Sequence, residues 1–291
     1  MNPAHLATLL AVLDEGTFEA AAHSLGITPS AVSQRIKALE SQAGRVLVRR
    51  STPPTTTPAG EVFAQLARRM QLLQAEAEAE IGSLLSRVPL TVAVNADSLA
   101  TWFRDVISEV AHWDNATLNL RVEDEAATLN LLRLGEVVGA ITSEPTSVAG
   151  CDVVPIGEVR YYACATPSLT AAHAATEPTN GELYDLQSMP SLRYGPNDRM
   201  SDRLISFNEL HHVSEIPSSE AYLHAVTAGL GWGLLPEAQC ASLLEEGKLV
   251  RVDPRDVIIP MFWQQWRLES DMLSRLRDAV ISAAPRPAST T

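Results

Sequence analysis

Residues 27–40 read ITPSAVSQRIKALE, a cationic stretch near the front of a chain whose net charge is −13. Thr28 suits a helix cap, Pro29 suits the first helical position, and no further Pro or Gly interrupts the run. At about 100° per residue, Val32, Ile36 and Leu39 share one face of that helix, and Ser30, Ser33, Gln34 and Lys37 the opposite one. The apolar face belongs to a core. The other face carries short hydrogen-bonding groups and a cation, which an isolated amphipathic helix would simply show to water.

The neighbouring sequence decides between water and a ligand. Upstream, HLATLLAVLDEGTFEAAAHSLG places Leu6, Leu9, Leu10 and Leu13 at helical spacing, then Gly16, then a short alanine-rich helix over about 17–25. Gly26 and Ile27 leave room only for a tight turn. A helix, a short turn and a second helix with small polar residues and Lys at its N-terminal end is the helix-turn-helix, whose second helix enters the major groove. Downstream, 45–49 alternates as a short strand, Pro53 and Pro54 break it, and a Thr-rich segment returns the chain. This predicts a wing with Arg45, Arg49 and Arg50 available to phosphates. Residues 1–60 carry about +1, so the remaining 231 residues carry −14, and within 27–50 five cations face Glu40 alone. The acidity therefore lies elsewhere in the chain.

A chain of 291 residues with 46% hydrophobic content suffices for two or three compact units. No basic-then-apolar leader and no apolar run near the roughly 18 residues of a membrane span is present, which predicts a cytoplasmic protein without membrane contact. Cys151, Cys164 and Cys240 lack CxxC spacing and read as reduced and mostly buried, so neither metal nor cofactor is expected.

From 58 to about 86 a long helix is predicted, with Thr57 as cap and Pro58 behind it. Val62, Leu66, Leu73, Ala77 and Ile81, with Leu84, form an apolar stripe near a seven-residue repeat. Such a helix has no core of its own. The expectation is that it pairs with the same helix of a second subunit, which would set two recognition helices on successive turns of DNA; the alternative is packing on its own domain. After Arg87 the pattern becomes PLTVAV, SLATWFRDVISEVA, TLNLRV, AATLNLLRLG and VVGAIT, alternating strand and helix as a parallel α/β unit. A second unit follows from about 161, with strands SLRYG, HHVSEI and GWGLLP and the helix SSEAYLHAVTAGLG. The chain returns with PMFWQQWRLES, and a last helix over 270–284 completes the first unit. Two such lobes with more than one crossing suit closure on a small ligand.

Together, FEAAAHSLGITPSAVSQRIKALE and the TPAG that opens the linker make the whole chain resemble the LysR-type transcriptional regulators. VNADSLATWF, VEDE and GEVVGAIT resemble more narrowly the ArgP/LysG-like regulators of lysine and arginine export. The resemblance implies a winged helix-turn-helix at 1–57, a linker and dimerisation helix at 58–87, and a two-lobed, periplasmic-binding-protein-like effector domain at 88–291. Lobe I is expected at about 88–160 and 262–291, lobe II at about 161–261. It further implies a homodimer or homotetramer on double-stranded promoter DNA that senses a basic amino acid, controls an exporter gene, more in the manner of an activator, and meets RNA polymerase. A LysR-type regulator responding to another small metabolite is the alternative. Thr28, Ser30, Ser33, Gln34, Arg35 and Lys37 are the expected DNA-facing residues, with Arg45, Arg49 and Arg50 on the wing.

Ligands of α/β units sit beyond the carboxyl ends of strands. The first strand ends at NADS, where Asp97, Ser98 and Thr101 precede Trp102 and open a helix whose free N–H groups favour a carboxylate. The second ends at VEDE, and alternation sends Glu123 and Glu125 to one side, with Asp124 opposite, toward a cationic side chain. Ser218, Ser219 and Glu220 open a helix in lobe II, as cap residues or, if the lobes close, as ligand contacts. Thr142 and Ser143 end the third strand and serve a turn or the ligand equally well. Trp102 reads more readily as packing than as stacking. Gly229, Gly231 and Gly233 precede a strand rather than a helix and make no dinucleotide loop. His211 and His212 point apart on a predicted strand, and no Ser/His/Asp set is recognisable. An amino-acid-processing enzyme or a plain carrier would leave the first 86 residues unexplained.

Overall fold

The computed structural model describes residues 1–81, 87–123, 125–173, 184–206 and 209–285. Its N-terminal unit packs α1 (Pro3–Glu15), α2 (Phe18–Ser24) and α3 (Pro29–Ala43) around Leu6, Leu9, Leu10, Val32, Ile36 and Leu39. Each helix starts on a side-chain cap: Asn2, Thr17 and Thr28 accept from Ala4, Ala20 and Ala31. Gly16 and Gly44 close α1 and α3 in the left-handed region, at φ +69° and +64°, where a side chain would be strained.

The wing is shorter than the 45–49 strand the sequence suggests. Arg45 still belongs to the end of α3, its N–H donating to the Glu40 carbonyl (3.2 Å), so pairing is confined to β1 (Val48–Arg49) and β2 (Thr55–Thr56). The Glu40 carboxylate accepts the N–H groups of Leu47 (2.9 Å) and Val48 (3.3 Å), tying the wing to the recognition helix.

The linker helix α4 (Pro58–Glu80) begins at the Thr57 cap, as expected, and Ile81 closes its described part; 82–86, including Leu84, fall outside the described residues. Among the described residues its inner side packs both ways along the chain. Ala64 and Ala67 join the N-terminal core and Leu72 the core of the following domain.

That domain is built on one sheet in the order β10 (Val250–Arg251), β6 (Cys151–Ala165), β11 (Val257–Trp266), β5 (Gly139–Thr142), β3 (Val88–Val94), β4 (Ala116–Val122), with β9 (Gly233–Pro236) also on β6. β3 (Val88–Val94) runs parallel to β4 (Ala116–Val122) and β5 (Gly139–Thr142), the strand-helix-strand signature of the first lobe. Two long antiparallel strands, β6 (Cys151–Ala165) and β11 (Val257–Trp266), then pass through both lobes, so each crossing is a strand and not a loop. Their register shifts at Met261/Phe262, opposite Gly157, whose φ of +135° admits only glycine comfortably. In the second lobe β6 carries β9 (Gly233–Pro236) and β10 (Val250–Arg251), and a separate parallel pair joins β7 (Ser191–Arg193) to β8 (Val213–Glu215). β8 starts after His211 and His212, which are not strand residues. Helix α11 (Asp271–Ala283), capped by Ser270, returns to the first lobe and buries Leu273, Leu276 and Val280 in its core.

The first lobe departs from expectation in one place. The single helix predicted over SLATWFRDVISEVA is two: α5 (Ala96–Ala100) and α6 (Phe103–Val110). Thr101 breaks them, with φ −116° and ψ −105°, and its hydroxyl donates to the Asp97 carbonyl (2.6 Å).

Candidate functional site

The structure holds two surfaces of interest. On α3, Ser30, Gln34 and Lys37 are exposed and Ser33 half-exposed, all on the side away from buried Val32, Ile36 and Leu39. Thr28 is committed locally, accepting from the Ala31 N–H (3.2 Å) with Ser30 Oγ at 2.9 Å. Arg35 stands apart from the expected DNA face. It is half-buried, and its Nη1 donates to Thr8 Oγ1 on α1 (3.4 Å), so it braces the recognition helix from behind. Arg45, Arg49 and Arg50 are exposed on the wing side, with the Arg50 guanidinium 5.6 Å from the Phe18 ring.

The second surface is a cavity of about 650 Å³ between the lobes, at the carboxyl ends of β3 and β4. Of the residues expected there, Asp97, Glu123 and Ser143 line it. Ser98 does not. The N-terminus of α5 is already served, because Asn95 Oδ1 accepts the Ser98 N–H (2.7 Å), and the Ser98 side chain is buried. The negative charge of Asp97 in the first turn of this five-residue helix further disfavours a second carboxylate there. Thr101 bonds the Asp97 carbonyl, and Trp102 packs on the lobe I core edge-on to Phe103, with centroids 5.6 Å apart.

The VEDE reading also changes. β4 ends at Val122 and Glu125 begins α7 (Glu125–Leu134), so strand alternation does not run through 123–125. Glu123 is exposed on the cavity; Asp124 and the side chain of Glu125 lie outside the described residues. Thr142 is buried, its Oγ1 accepting the Glu144 N–H (2.8 Å) in turn fashion.

In lobe II, Ser218 caps α9 (Ser219–Thr227), accepting from Ala221 (3.4 Å), and does not line the cavity. Its neighbours reach across to lobe I. Ser219 Oγ donates to Asp97 Oδ1 (2.9 Å), and Glu220 meets Arg104 at 3.5 Å on the exposed surface. Tyr161 OH donates to Asp97 Oδ2 (3.1 Å). Burial raises the Asp97 carboxyl above its ordinary 3.8; the Ser219 and Tyr161 bonds pull it back, and Asp198 pushes it further up. Burial likewise drives the Tyr161 hydroxyl well above its usual range, so it stays a donor.

Several lining residues carried no warning in the sequence. Tyr161 sits on β6, and Tyr194, Asp198, Arg199, Arg203 and Gln239 come from turns and short helices of lobe II. Asp198 holds its own turn by accepting the N–H groups of Tyr194 and Met200, both at 2.9 Å. Only the PND turn signal at 196–198 marked that loop.

Among the described residues no group of three or more His, Cys, Asp or Glu could hold a metal, and the three cysteines are buried and unbridged. No helix there is long and apolar enough to cross a membrane.

A DNA-reading head joined by a helix to a two-lobed ligand cleft defines a one-component transcriptional regulator. The bacterial regulatory helix-turn-helix protein, lysR family, matches residues 3–61, and the LysR substrate binding domain matches 85–283, so the chain belongs to the LysR family. It is a DNA-binding transcriptional regulator. It is 53% identical to the lysine export transcriptional regulatory protein LysG of Corynebacterium efficiens, over 98% of both chains. Its fold matches full-length LysG of Corynebacterium glutamicum with bound effector Arg at a TM-score of 0.85 and 52% identity, covering 99% of this chain and 100% of that one. It matches ArgP from Mycobacterium tuberculosis at 0.87 and 40% identity, covering 97% and 98%.

Proposed function

We propose that this regulator senses lysine or arginine in the interlobe cavity and controls, as an activator, a gene for basic amino-acid export. The carrying observation is that cavity: it is bounded by the carboxylates of Asp97, Glu123 and Asp198, in a chain whose relatives are named for lysine export and, in one structure, hold Arg. Arg199 and Arg203 line the same cavity and suit the α-carboxylate better than α5 does. The acidic balance outside the DNA-binding region favours cation entry, while selectivity requires oriented groups. Calorimetric titration with lysine, arginine, a neutral and an acidic amino acid tests this. Saturable binding of the first two alone is expected, and equal binding of a neutral or acidic amino acid would leave only the LysR-type regulator.

Promoter DNA is read by Ser33, Gln34 and Lys37 with Arg49 or Arg50 on phosphate, in a homodimer or homotetramer that also meets RNA polymerase. Support for the dimer comes from α4. Val62, Leu66, Leu73, Ala77 and Ile81 are all exposed in the single chain, with Met70 among them, and Ile81 reaches 86%. An apolar stripe of this length on water is a partner surface.

A further inference from the structure

The cavity holds two electrostatic environments. Exposed Glu123, Arg199 and Arg203 contribute both signs of charge, as the ammonium and carboxylate of an amino acid need. Asp97 is different. It keeps one side open to the cavity and is otherwise enclosed, and its oxygens accept only neutral hydroxyls, from Ser219 and Tyr161. Among the described residues no cation pairs with it, and the charge that bears on it, Asp198, has the same sign.

A carboxylate withdrawn from water without a counter-charge is costly, and each of its oxygens still has a lone pair to offer. Beside it, Gln239 Nε2 donates to Ser219 Oγ (3.1 Å), while Gln239 Oε1 is buried with no hydrogen-bond partner. This corner of the cavity is short of both donors and positive charge.

We infer that Asp97 is the specificity-determining residue of the cleft: it takes the side-chain cation of the effector, with Gln239 Oε1 accepting a further N–H. The amino-acid head stays with Glu123, Arg199 and Arg203. This rests on the basic amino-acid reading above and assigns the group that makes it selective. Lysine and arginine differ from neutral amino acids in side-chain charge, so the residue that meets this charge sets the choice. Ser219 belongs to lobe II and bonds the same carboxylate, so the cation docks where the two lobes are joined.

The test is calorimetry on the full chain with L-arginine, L-lysine and L-citrulline, whose urea replaces the guanidinium without charge. Wild type should prefer arginine to citrulline by on the order of 100-fold, and Asp97→Asn should lose about that factor for arginine and abolish the preference. Glu123→Gln should bind all three more weakly and keep the preference. Retained discrimination in Asp97→Asn, above all with discrimination lost in Glu123→Gln, overturns the inference while leaving basic amino-acid sensing intact. A wild type that binds neither arginine nor lysine overturns both. Should Asp97→Asn fail to fold, Asp97→Glu carries the test. Its displaced carboxylate should weaken arginine at least about tenfold and keep the preference over citrulline, and arginine affinity equal to wild type overturns the inference.

Discussion

A side chain at position 60 would place its Cβ 2.0 Å from the carbonyl oxygen of Leu47. The linker helix therefore crosses the start of the wing backbone to backbone, and the glycine of TPAG is what lets it. The crossing is fastened by Thr57, whose N–H donates to the Leu47 carbonyl (2.9 Å) and whose hydroxyl donates to the Val46 carbonyl (2.7 Å). Gly60→Ala must push helix and wing apart and should cost at least about 2 kcal/mol. Urea denaturation of the full chain should show this as an earlier loss of the N-terminal unit, with promoter affinity falling alongside. Unchanged stability would mean that the crossing is loose.

Gln34 and Ser33 should contribute to sequence preference, and the wing to affinity. Gln34→Ala or Ser33→Ala should cost roughly 1–3 kcal/mol on the promoter and relax preference at one base pair. Arg50→Ala should weaken all duplexes alike and flatten the dependence of affinity on salt. Arg35→Ala should act through stability, since its guanidinium reaches Thr8. Competition binding at two salt concentrations separates these outcomes.

Leu66 lies on the exposed stripe of α4, 39% accessible in the single chain. Leu66→Glu would set an unpaired carboxylate in a helix-helix seam and should yield monomers with much weaker promoter binding. Sedimentation velocity checks it; a dimer of wild-type stability would assign the stripe another role.

Effector affinity should fall on acidification earlier than an ordinary carboxylate would predict. Asp97 must be ionised to hold a cation, and its carboxyl titrates above 3.8 because of burial, with Asp198 adding and the Ser219 and Tyr161 bonds opposing. Arginine affinity is therefore lost as pH falls through that raised value. The ligand-free protein has the opposite sign. A carboxyl raised on folding costs stability as pH climbs from 3.8 through its folded value, and the full cost is present above it. Asp97→Asn should thus melt higher than wild type at neutral pH without effector, by thermal denaturation, and lose the gain when arginine is added to both.

Local pattern was enough for the reading head. Thr28, Pro29, the 3.6-residue spacing of Val32, Ile36 and Leu39, and the wing prolines all act within a few residues, and local forces set them. Strand alternation and helix spacing likewise marked β3, β4, β5, α9 and α11, because each carries its apolar residues in its own local period, whichever neighbour it meets. The cavity is another matter. Its walls are assembled from residues far apart in sequence, Asp97 with Tyr161 and Ser219, and the latter pair are 64 and 122 positions away. Whether an N–H group or hydroxyl is free for a ligand depends on what has already satisfied it. Asn95 had taken the Ser98 N–H, Asp97 set a negative charge beside it, and the helix broke at Thr101, so the carboxylate cradle read from NADS already holds one of the chain's own acceptors. Sequence by itself marked most of the helices and strands and a regulator with a ligand cleft, and left the break at Thr101 and the long strand β6 unread. Tertiary structure decided that Asp97 faces that cleft held by two hydroxyls and, among the described residues, no counter-charge, because the two lobes bring those groups together only when β6 and β11 cross between them.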